Sequence, residues 1–192
     1  MASVVISGDT SGSVTLSAPA VAGSTTQTLV AATGTLAPLV SGTAVASTSG
    51  TSIDFTGIPS WVKRITVMFN AVSASGTSNF LVQLGDSGGI EITGYVSSAT
   101  SINSASATSG SNSTAGFLIM SPGAADAASG HMLLTNVSGN IWVSSHAGRH
   151  QTTNTILGGG VKTLSATLDS VRLTTVNGTD TFDAGSINIL YE

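Results

Sequence analysis

From residue 51 onward, apolar and polar residues alternate in short runs that Gly, Asn, Asp and Ser residues separate. Runs of this length, rich in Val, Ile, Leu and Phe, are typical of β-strands, and none has the 3.6-residue period of an amphipathic helix. The pattern predicts nine strands, at residues 61–69, 80–84, 90–96, 117–120, 131–137, 141–145, 161–168, 170–176 and 186–191. The chain is therefore expected to be all-β in this region.

Short strands in this number favour an antiparallel β-sandwich, in which two sheets bury facing apolar rows, and we expect a jelly-roll-like arrangement. The stretch 97–115 consists almost entirely of Ser, Ala, Thr, Asn and Gly and is predicted to be a long exposed loop. Asn177-Gly178 is a strong signal for a hairpin turn. We assign residues 51–192 to one domain.

The first fifty residues differ from the rest because Asp9 is the one charged residue among them. Small apolar residues alternate there with Ser and Thr, and each short run carries too little apolar surface to fold alone. We interpret residues 1–50 as an extended N-terminal β arm that attaches to partner molecules or intertwines with them. Its larger apolar residues are predicted to make the anchoring contacts: Val14, Leu16, Leu29, Val30, Leu36 and Leu39.

Charge is scarce along the whole chain. Asp, Glu, Lys and Arg make up 7% of the residues, against about 25% in ordinary soluble proteins. A surface covered by hydroxyl groups favours burial against other subunits, which predicts a protein of a large assembly. Five Lys and Arg residues and a net charge of -4 argue against nucleic-acid binding. The chain has no Cys for disulfides or thiolate sites, and no apolar run predicts a secretion signal or a membrane span.

Several segments resemble a module that recurs in bacteriophage tail-fibre and virion-surface proteins. The likeness is closest in IDFTGIPSWVKRITVMF at 53–69 and extends to QLGDSGG at 83–89 and VRLTTVNGTDTFDAG at 171–185, so that it covers residues 51–192. In the arm, GSVTL and AATGTL are similar to short repeats that precede fibre domains. The resemblance implies a trimeric phage appendage or decoration protein on the virion surface, made in the cytoplasm of a bacterial host.

The three histidines are candidate metal ligands. His146 and His150 lie four residues apart, with His131 upstream, a spacing that on a helix would present two imidazoles to one Zn²⁺. The segment does not look helical, and on a strand this spacing separates the residues by about 13 Å. We therefore expect surface or loop histidines and assign no metal site, although three copies of one histidine around a symmetry axis remain an alternative.

Catalytic interpretations are weighed against structural ones. Four acidic residues are candidates for the carboxylate pair of a glycoside hydrolase: Asp86, Glu91, Asp180 and Asp183. We expect Asp86, Asp180 and Asp183 to cap turns through hydrogen bonds from backbone groups to their side chains. The segment 158–160, Gly-Gly-Gly, lacks the Lys of a P-loop and is interpreted as a connection between strands, and Ser144-Ser145-His146 lacks a Gly-x-Ser-x-Gly elbow. We predict no catalytic residues, no cofactor and no enzyme activity.

Trp61 and Trp142 are the candidates for stacking against a sugar ring, because aromatic faces carry shallow carbohydrate sites. Both lie in apolar segments, Trp61 before Val62 and Trp142 between Ile141 and Val143. A core or subunit-interface position is therefore the stronger expectation for each, with glycan contact as the alternative.

The sequence predicts a non-enzymatic structural component of a bacteriophage virion. It would be a homotrimeric capsid decoration (cement) or head-fibre protein whose arm binds the major capsid protein or other phage structural proteins. The short chain favours the capsid over a long tail fibre. The alternative is a short tail fibre or a receptor-binding module whose loops recognise host-surface glycans. Neither nucleic acid nor membrane is expected as a partner.

Overall fold

The described part of the chain falls into two compact units. A computed structural model describes residues 3–7, 11–17, 37–121, 123–124, 126–150 and 153–192. The two units are Met1–Leu36 and Ala37–Glu192. Every regular element among the described residues is a β-strand, which confirms the all-β prediction. Within these same ranges, no helix is long and apolar enough to cross a membrane.

The described residues of the first unit form a hairpin. β1 (Ser3–Ser7) pairs antiparallel with β2 (Ser13–Ser17), and Ile6 lies opposite Val14 in the ladder. The strand character predicted for residues 13–17 is therefore confirmed. The further short runs predicted at 27–36 lie outside the described residues.

The second unit contains a longer series of strands. In chain order they are β3 (Val40–Ser41), β4 (Val45–Ala46), β5 (Ser52–Thr56), β6 (Arg64–Ala74), β7 (Phe80–Asp86), β8 (Gly89–Ile90), β9 (Tyr95–Ile102), β10 (Thr108–Ser113), β11 (Phe117–Ile119), β12 (Ala128–Ser138), β13 (Ile141–His150), β14 (Asn154–Thr163), β15 (Leu168–Thr175) and β16 (Phe182–Tyr191). Their Val, Ile, Leu and Phe content and period-two burial explain why most of them form where the sequence predicted strands.

These strands build two antiparallel sheets. The nine-stranded sheet has the order β10-β9-β14-β13-β12-β6-β16-β3, with β4 also paired to β16. The five-stranded sheet has the order β11-β7-β15-β5, with β8 paired to β7. The chain crosses between the sheets repeatedly, for example from β5 to β6 to β7. The arrangement is that of an antiparallel β-sandwich, as the strand pattern predicted.

A continuous buried cluster fills the space between the two sheets. Ile65 and Val67 of β6 and Leu134 of β12 point into it from the nine-stranded sheet, and Val82 and Leu173 from the five-stranded sheet. Burying an aliphatic side chain contributes about 1.5–3 kcal/mol relative to leaving it exposed. The register of each strand is therefore fixed by which of its faces carries these residues.

The prediction of a long loop at 97–115 is wrong. β9 continues to Ile102, and β10 pairs with it over Thr108–Ser113, so the segment is a hairpin. Asn and Gly have low strand propensity, but here β14 supplies ladder partners along β9. Tertiary pairing overrides propensity in this hairpin.

The glycine run 158–160 lies inside β14, not in a connection between strands as predicted. These residues face β13 and β9 on either side, with Gly160 opposite Ser144 and Ser97. A Cβ added at Gly160 would lie 2.5 Å from the carbonyl oxygen of Val96, so the close approach of the two strands requires glycine here. The predicted strand at 161–168 thus began too late.

The ends of the second unit agree with the turn chemistry of the sequence. Gly178 has a positive φ of 68° and donates its N–H to the carbonyl oxygen of Thr175 at 3.0 Å, as expected for the predicted turn at Asn177-Gly178. At the other end, β3 and β4 pair with β16. Residues 40–46, which composition assigns to the arm, therefore pair with the sandwich.

Candidate functional site

The predicted anchoring residues fall into three groups. Leu16 lies in β2 and Leu39 precedes β3, and both side chains are exposed. Val14 also lies in β2, opposite Ile6. The other three lie outside the described residues: Leu29, Val30 and Leu36. Within the described residues, the anchoring hypothesis therefore concerns the β1–β2 hairpin and Leu39.

The hairpin has one apolar and one polar face. Strand alternation places positions 4, 6, 14 and 16 on the same face, and the ladder pairs 4 with 16 and 6 with 14. These four positions are Val, Ile, Val and Leu in the sequence, whereas the opposite face carries Ser, Thr and Val5. Ile6 and Leu16 are more than half exposed. A two-stranded hairpin is marginally stable alone in water, so an uncovered apolar face of this kind favours a partner surface.

The two tryptophans occupy opposite environments. Trp142 is 3% exposed and lies in the core, which agrees with the stronger expectation and leaves its indole no face open to a sugar. Trp61 is 41% exposed and contacts Tyr191, with ring centroids 6.0 Å apart. Of the two candidates for glycan contact, Trp61 alone presents an accessible ring.

The nine-stranded sheet has an outer face, the side that turns away from the core. This face is apolar on the three adjacent strands β9, β14 and β13. Val96 of β9 lies directly opposite Val161 of β14, which lies opposite Val143 of β13. Leu157 lies on the same face of β14, beside Thr100 and Ala147. Nine positions form this outer patch: Val96, Ser98, Thr100, Leu157, Gly159, Val161, Val143, Ser145 and Ala147.

The outer patch contains no charged residue. Val96 is 70% exposed, and Val143, Leu157 and Val161 are each more than a third exposed. Gly159 has no side chain, so an open depression lies there, bordered by Thr100 and Leu157. Large exposed apolar areas of this type mark surfaces that bind other molecules.

Two of the four candidate carboxylates come together in one buried network. The Asp86 carboxylate accepts hydrogen bonds from the Ser165 hydroxyl at 2.7 Å and from the Gly88 N–H at 2.8 Å. Glu91 accepts from the Ser165 N–H at 2.6 Å and forms an ion pair with Lys162. The buried Lys162 ammonium also donates to the Thr93 carbonyl oxygen at 2.8 Å. The network ties the end of β7 to β14 and to the connection before β15.

The hydrogen bonds of this network favour ionised carboxylates. The Ser165 hydroxyl and the Gly88 N–H lower the pKa of Asp86. Burial opposes ionisation of Glu91, but the hydrogen bonds from Lys162 and Ser165 outweigh it and lower its pKa too. The general acid of a glycosidase requires a raised pKa. The pair therefore suits a structural tie better than proton donation.

The other two candidate carboxylates stabilise turns and strand ends. Asp180 accepts from the Ser78 N–H at 3.1 Å and from the Asn177 side chain. Asp183 accepts a hydrogen bond from the Ser73 hydroxyl. The expectation of turn capping is confirmed for Asp86, which accepts from the Gly88 N–H two residues on. It is wrong for Asp183, whose partner is a side chain on a neighbouring strand, and Asp180 binds a backbone N–H far along the chain.

A buried row of polar side chains was not expected from the sequence. The Ser101 hydroxyl lies 2.8 Å from His150 Nε2, and His150 Nδ1 lies 3.2 Å from the Asp126 carboxylate. Because a carboxylate accepts, Nδ1 donates to Asp126 and Nε2 accepts from Ser101. The order and distances are those of a Ser-His-Asp triad. The three residues come from β9, the end of β13 and the connection before β12, so no local sequence motif predicts them.

Burial argues for a structural role of this row. Ser101 is 6% exposed and points from β9 into the sandwich, and His150 and Asp126 are equally buried. A nucleophile must be open to the carbonyl that it attacks. The row satisfies polar groups in the interior and ties β9 and β13 to the connection before β12.

The histidines do not form a metal site in one chain. His146 and His150 lie on the same strand, as the strand interpretation predicted, but the expectation of surface or loop histidines is wrong for both, because their side chains are buried in the sandwich. His131 is exposed on the outer face of β12, as expected. His146 is buried, and neither ring nitrogen has a hydrogen-bond partner among the described residues. Burial lowers the pKa of His146 to about 4, so the ring is neutral at pH 7. In the same ranges, no three His, Asp or Glu side chains converge as metal ligands do.

Comparison of the chain with family models, with curated proteins and with solved structures finds no match. The functional interpretation therefore depends on the surfaces described above. The apolar face of the hairpin was anticipated from sequence alternation at 13–17. The outer patch was missed, because alternation alone does not tell which face of β13 and β14 turns inward.

Proposed function

We propose that the chain is a structural component of a bacteriophage virion, a homotrimeric capsid decoration or head-fibre protein with a jelly-roll-like domain, attached to the major capsid protein or another phage structural protein by its N-terminal arm. The observation that carries this proposal is the pair of uncovered apolar surfaces, one on the hairpin and one on the sandwich. A protein that functions by attachment and self-association needs two such surfaces.

Three further features support the proposal. The resemblance of residues 51–192 to virion-surface modules supports the phage setting. The repeated crossing of the chain between two antiparallel sheets supports a jelly-roll-like topology. The described polar clusters, Asp86 with Glu91 and Ser101 with His150, are buried and internally paired, which supports a structural function over a catalytic one.

The anchoring hypothesis can be tested on the two faces of the hairpin. Leu16→Asp places a charge on the apolar face, and Val5→Asp places the same charge on the opposite face at nearly equal exposure, 59% and 57%. Binding of purified full-length protein to particles that lack it would be measured by co-sedimentation. We expect Leu16→Asp to weaken binding about 30-fold, from ~2 kcal/mol of lost burial, and Val5→Asp to bind as the unchanged chain does.

Equal binding by both variants would contradict attachment through the apolar face of the hairpin. Failure of the unchanged chain to bind particles would contradict the decoration function itself. Both outcomes are read in the same co-sedimentation experiment, against a particle that retains its own copies of the protein.

The exposed Trp61 ring favours host-glycan binding as a second candidate function. Its indole lies beside Tyr191, and aromatic pairs at a surface offer a stacking platform for a sugar. Trp61→Ala should then remove retention on immobilised host glycans without changing particle binding. Unchanged glycan retention would contradict this second function.

A further inference from the structure

We propose that the outer patch of the nine-stranded sheet is the surface through which copies of this chain associate with one another. The inference rests on the proposed function, because it names the face that a homotrimer would use. Its centre is the row Val96, Val161 and Val143, three aliphatic side chains in direct register on adjacent strands.

The composition of the patch restricts its partner. A charged surface placed here would lose its water without gaining a counter-charge, because none of the nine patch residues ionises. The partner must therefore be uncharged and largely aliphatic at the contact. The same face of other copies meets this requirement, because three copies around a threefold axis can each turn this face toward the axis and against those of both neighbours, and identical patches bring no like charges together.

The charged groups around the patch lie at its border. Arg149 of β13 is exposed two residues beyond Ala147, opposite Thr155 of β14. Arg64 of β6 lies beyond β12, in the same row as Val143, and forms an ion pair with Glu192. His131 is exposed on β12 in the row of Leu157 and Ala147. An uncharged centre with a polar border is the usual anatomy of a subunit interface.

The size of the face fits a stable interface. The outer patch is the apolar part of a larger face, in which six adjacent strands from β9 to β16, spaced ~4.8 Å apart, and eight residues along each span about 29 Å by 26 Å. This area is close to the ~800 Å² that each partner contributes to a standard interface. The depression at Gly159 adds shape, since an aliphatic side chain of a second copy can enter it.

The test introduces a charge at two patch positions and at one control position. Val161→Asp lies in the centre, and Val96→Asp at 70% exposure has no packing role within one chain. Val176→Asp is the control, because Val176 is 52% exposed and follows β15 of the other sheet. The mass of the full-length chain in solution would be measured by sedimentation equilibrium, with circular dichroism to confirm folding.

We expect the unchanged chain and Val176→Asp to sediment as the same oligomer, and both patch variants to associate about 100-fold more weakly or as monomers. Folded patch variants that keep the oligomer would overturn the inference and leave the proposed trimer standing. A monomeric unchanged chain would overturn both. Equal dissociation by Val176→Asp would also overturn the inference, because the effect would then reflect net charge and not this face.

Discussion

The two faces of β13 partly invert the usual pattern of a sheet with one side in water. Toward the core the strand presents Ser144, His146 and His150 beside Trp142, whereas toward the outside it presents Val143 and Ala147 beside Ser145 and Arg149. Antiparallel sheets normally bury their apolar face and solvate their polar one. The inversion continues on β14 and β9, where Lys162 and Ser101 are buried while Val161 and Val96 are exposed.

The two faces are stabilised in different ways. Inside, most polar groups have partners, such as Glu91 for Lys162 and His150 for Ser101. Outside, the aliphatic side chains remain 37–70% exposed to solvent. A face of this kind fits a sheet that is covered on both sides, which is the arrangement that we propose for the associated chain.

The largest expected effect is on the free energy of unfolding, which should fall much more for Leu134→Ala than for Leu133→Ala. Leu134 is fully buried on the inner face, whereas its neighbour on the outer face is half-buried. Leu134→Ala should lower the free energy of unfolding by about 2–5 kcal/mol, because it removes methyl groups and leaves a cavity. Leu133→Ala should cost less than ~1 kcal/mol in urea denaturation at concentrations that keep the chain monomeric. Similar costs would contradict the assignment of the two faces.

The next effect is on the pH dependence of stability, to which His146 should contribute and His131 should not. The pKa of buried His146 is about 4, against an ordinary value of 6.5 that the unfolded chain would show. The unfolded state therefore binds a proton that the folded state does not, and stability is full above pH 6.5 and falls by about 3 kcal/mol as the pH drops to 4. Asp86 and Glu91 have lowered pKa values, so their contribution is lost at still lower pH.

His146→Leu should flatten the dependence of unfolding free energy on pH between 6.5 and 4, since an apolar side chain of similar volume has no proton to bind. The exposed His131→Gln variant should retain the slope of the unchanged chain. A slope that survives in His146→Leu would show that another group produces it.

The smallest effect should separate Ser101 from Ser98. Ser101→Ala removes the hydroxyl that His150 Nε2 accepts from, and a buried acceptor that loses its donor costs about 1–2 kcal/mol. Ser98 lies on the outer face of β9 and is exposed, so Ser98→Ala should change stability by less than ~0.5 kcal/mol. Thermal unfolding of both variants measures the difference, and equal midpoints would argue against a stabilising row.

Much of the sandwich could be predicted, because its strongly apolar strands are recognisable as short apolar runs in the sequence. The predicted strands at 80–84, 170–176 and 186–191 agree closely with β7, β15 and β16. The β9–β10 hairpin could not be predicted, because its Ser, Thr and Gly residues pair only when β14 lies beside them. Pairing partners far along the chain decide such segments.

The functional surfaces were predictable only in part. Leu16 was predicted as an anchoring residue from the alternation in the arm, and its exposed side chain agrees with an attachment role. The row of Ser101, Asp126 and His150 could not be found, since its members are separated along the chain and meet only through the fold. The outer patch was missed because β13 and β14 carry apolar residues on both faces, Trp142 and Ile156 toward the core and Val143 and Val161 toward the outside.

The most direct test of the central claim is a crystal structure of the full-length chain in its associated form. The proposal predicts three copies around a common axis, with Val96, Val143 and Val161 buried against the same face of the neighbouring copies. An assembly that leaves these three valines open to solvent, or a crystal of isolated monomers, would contradict it.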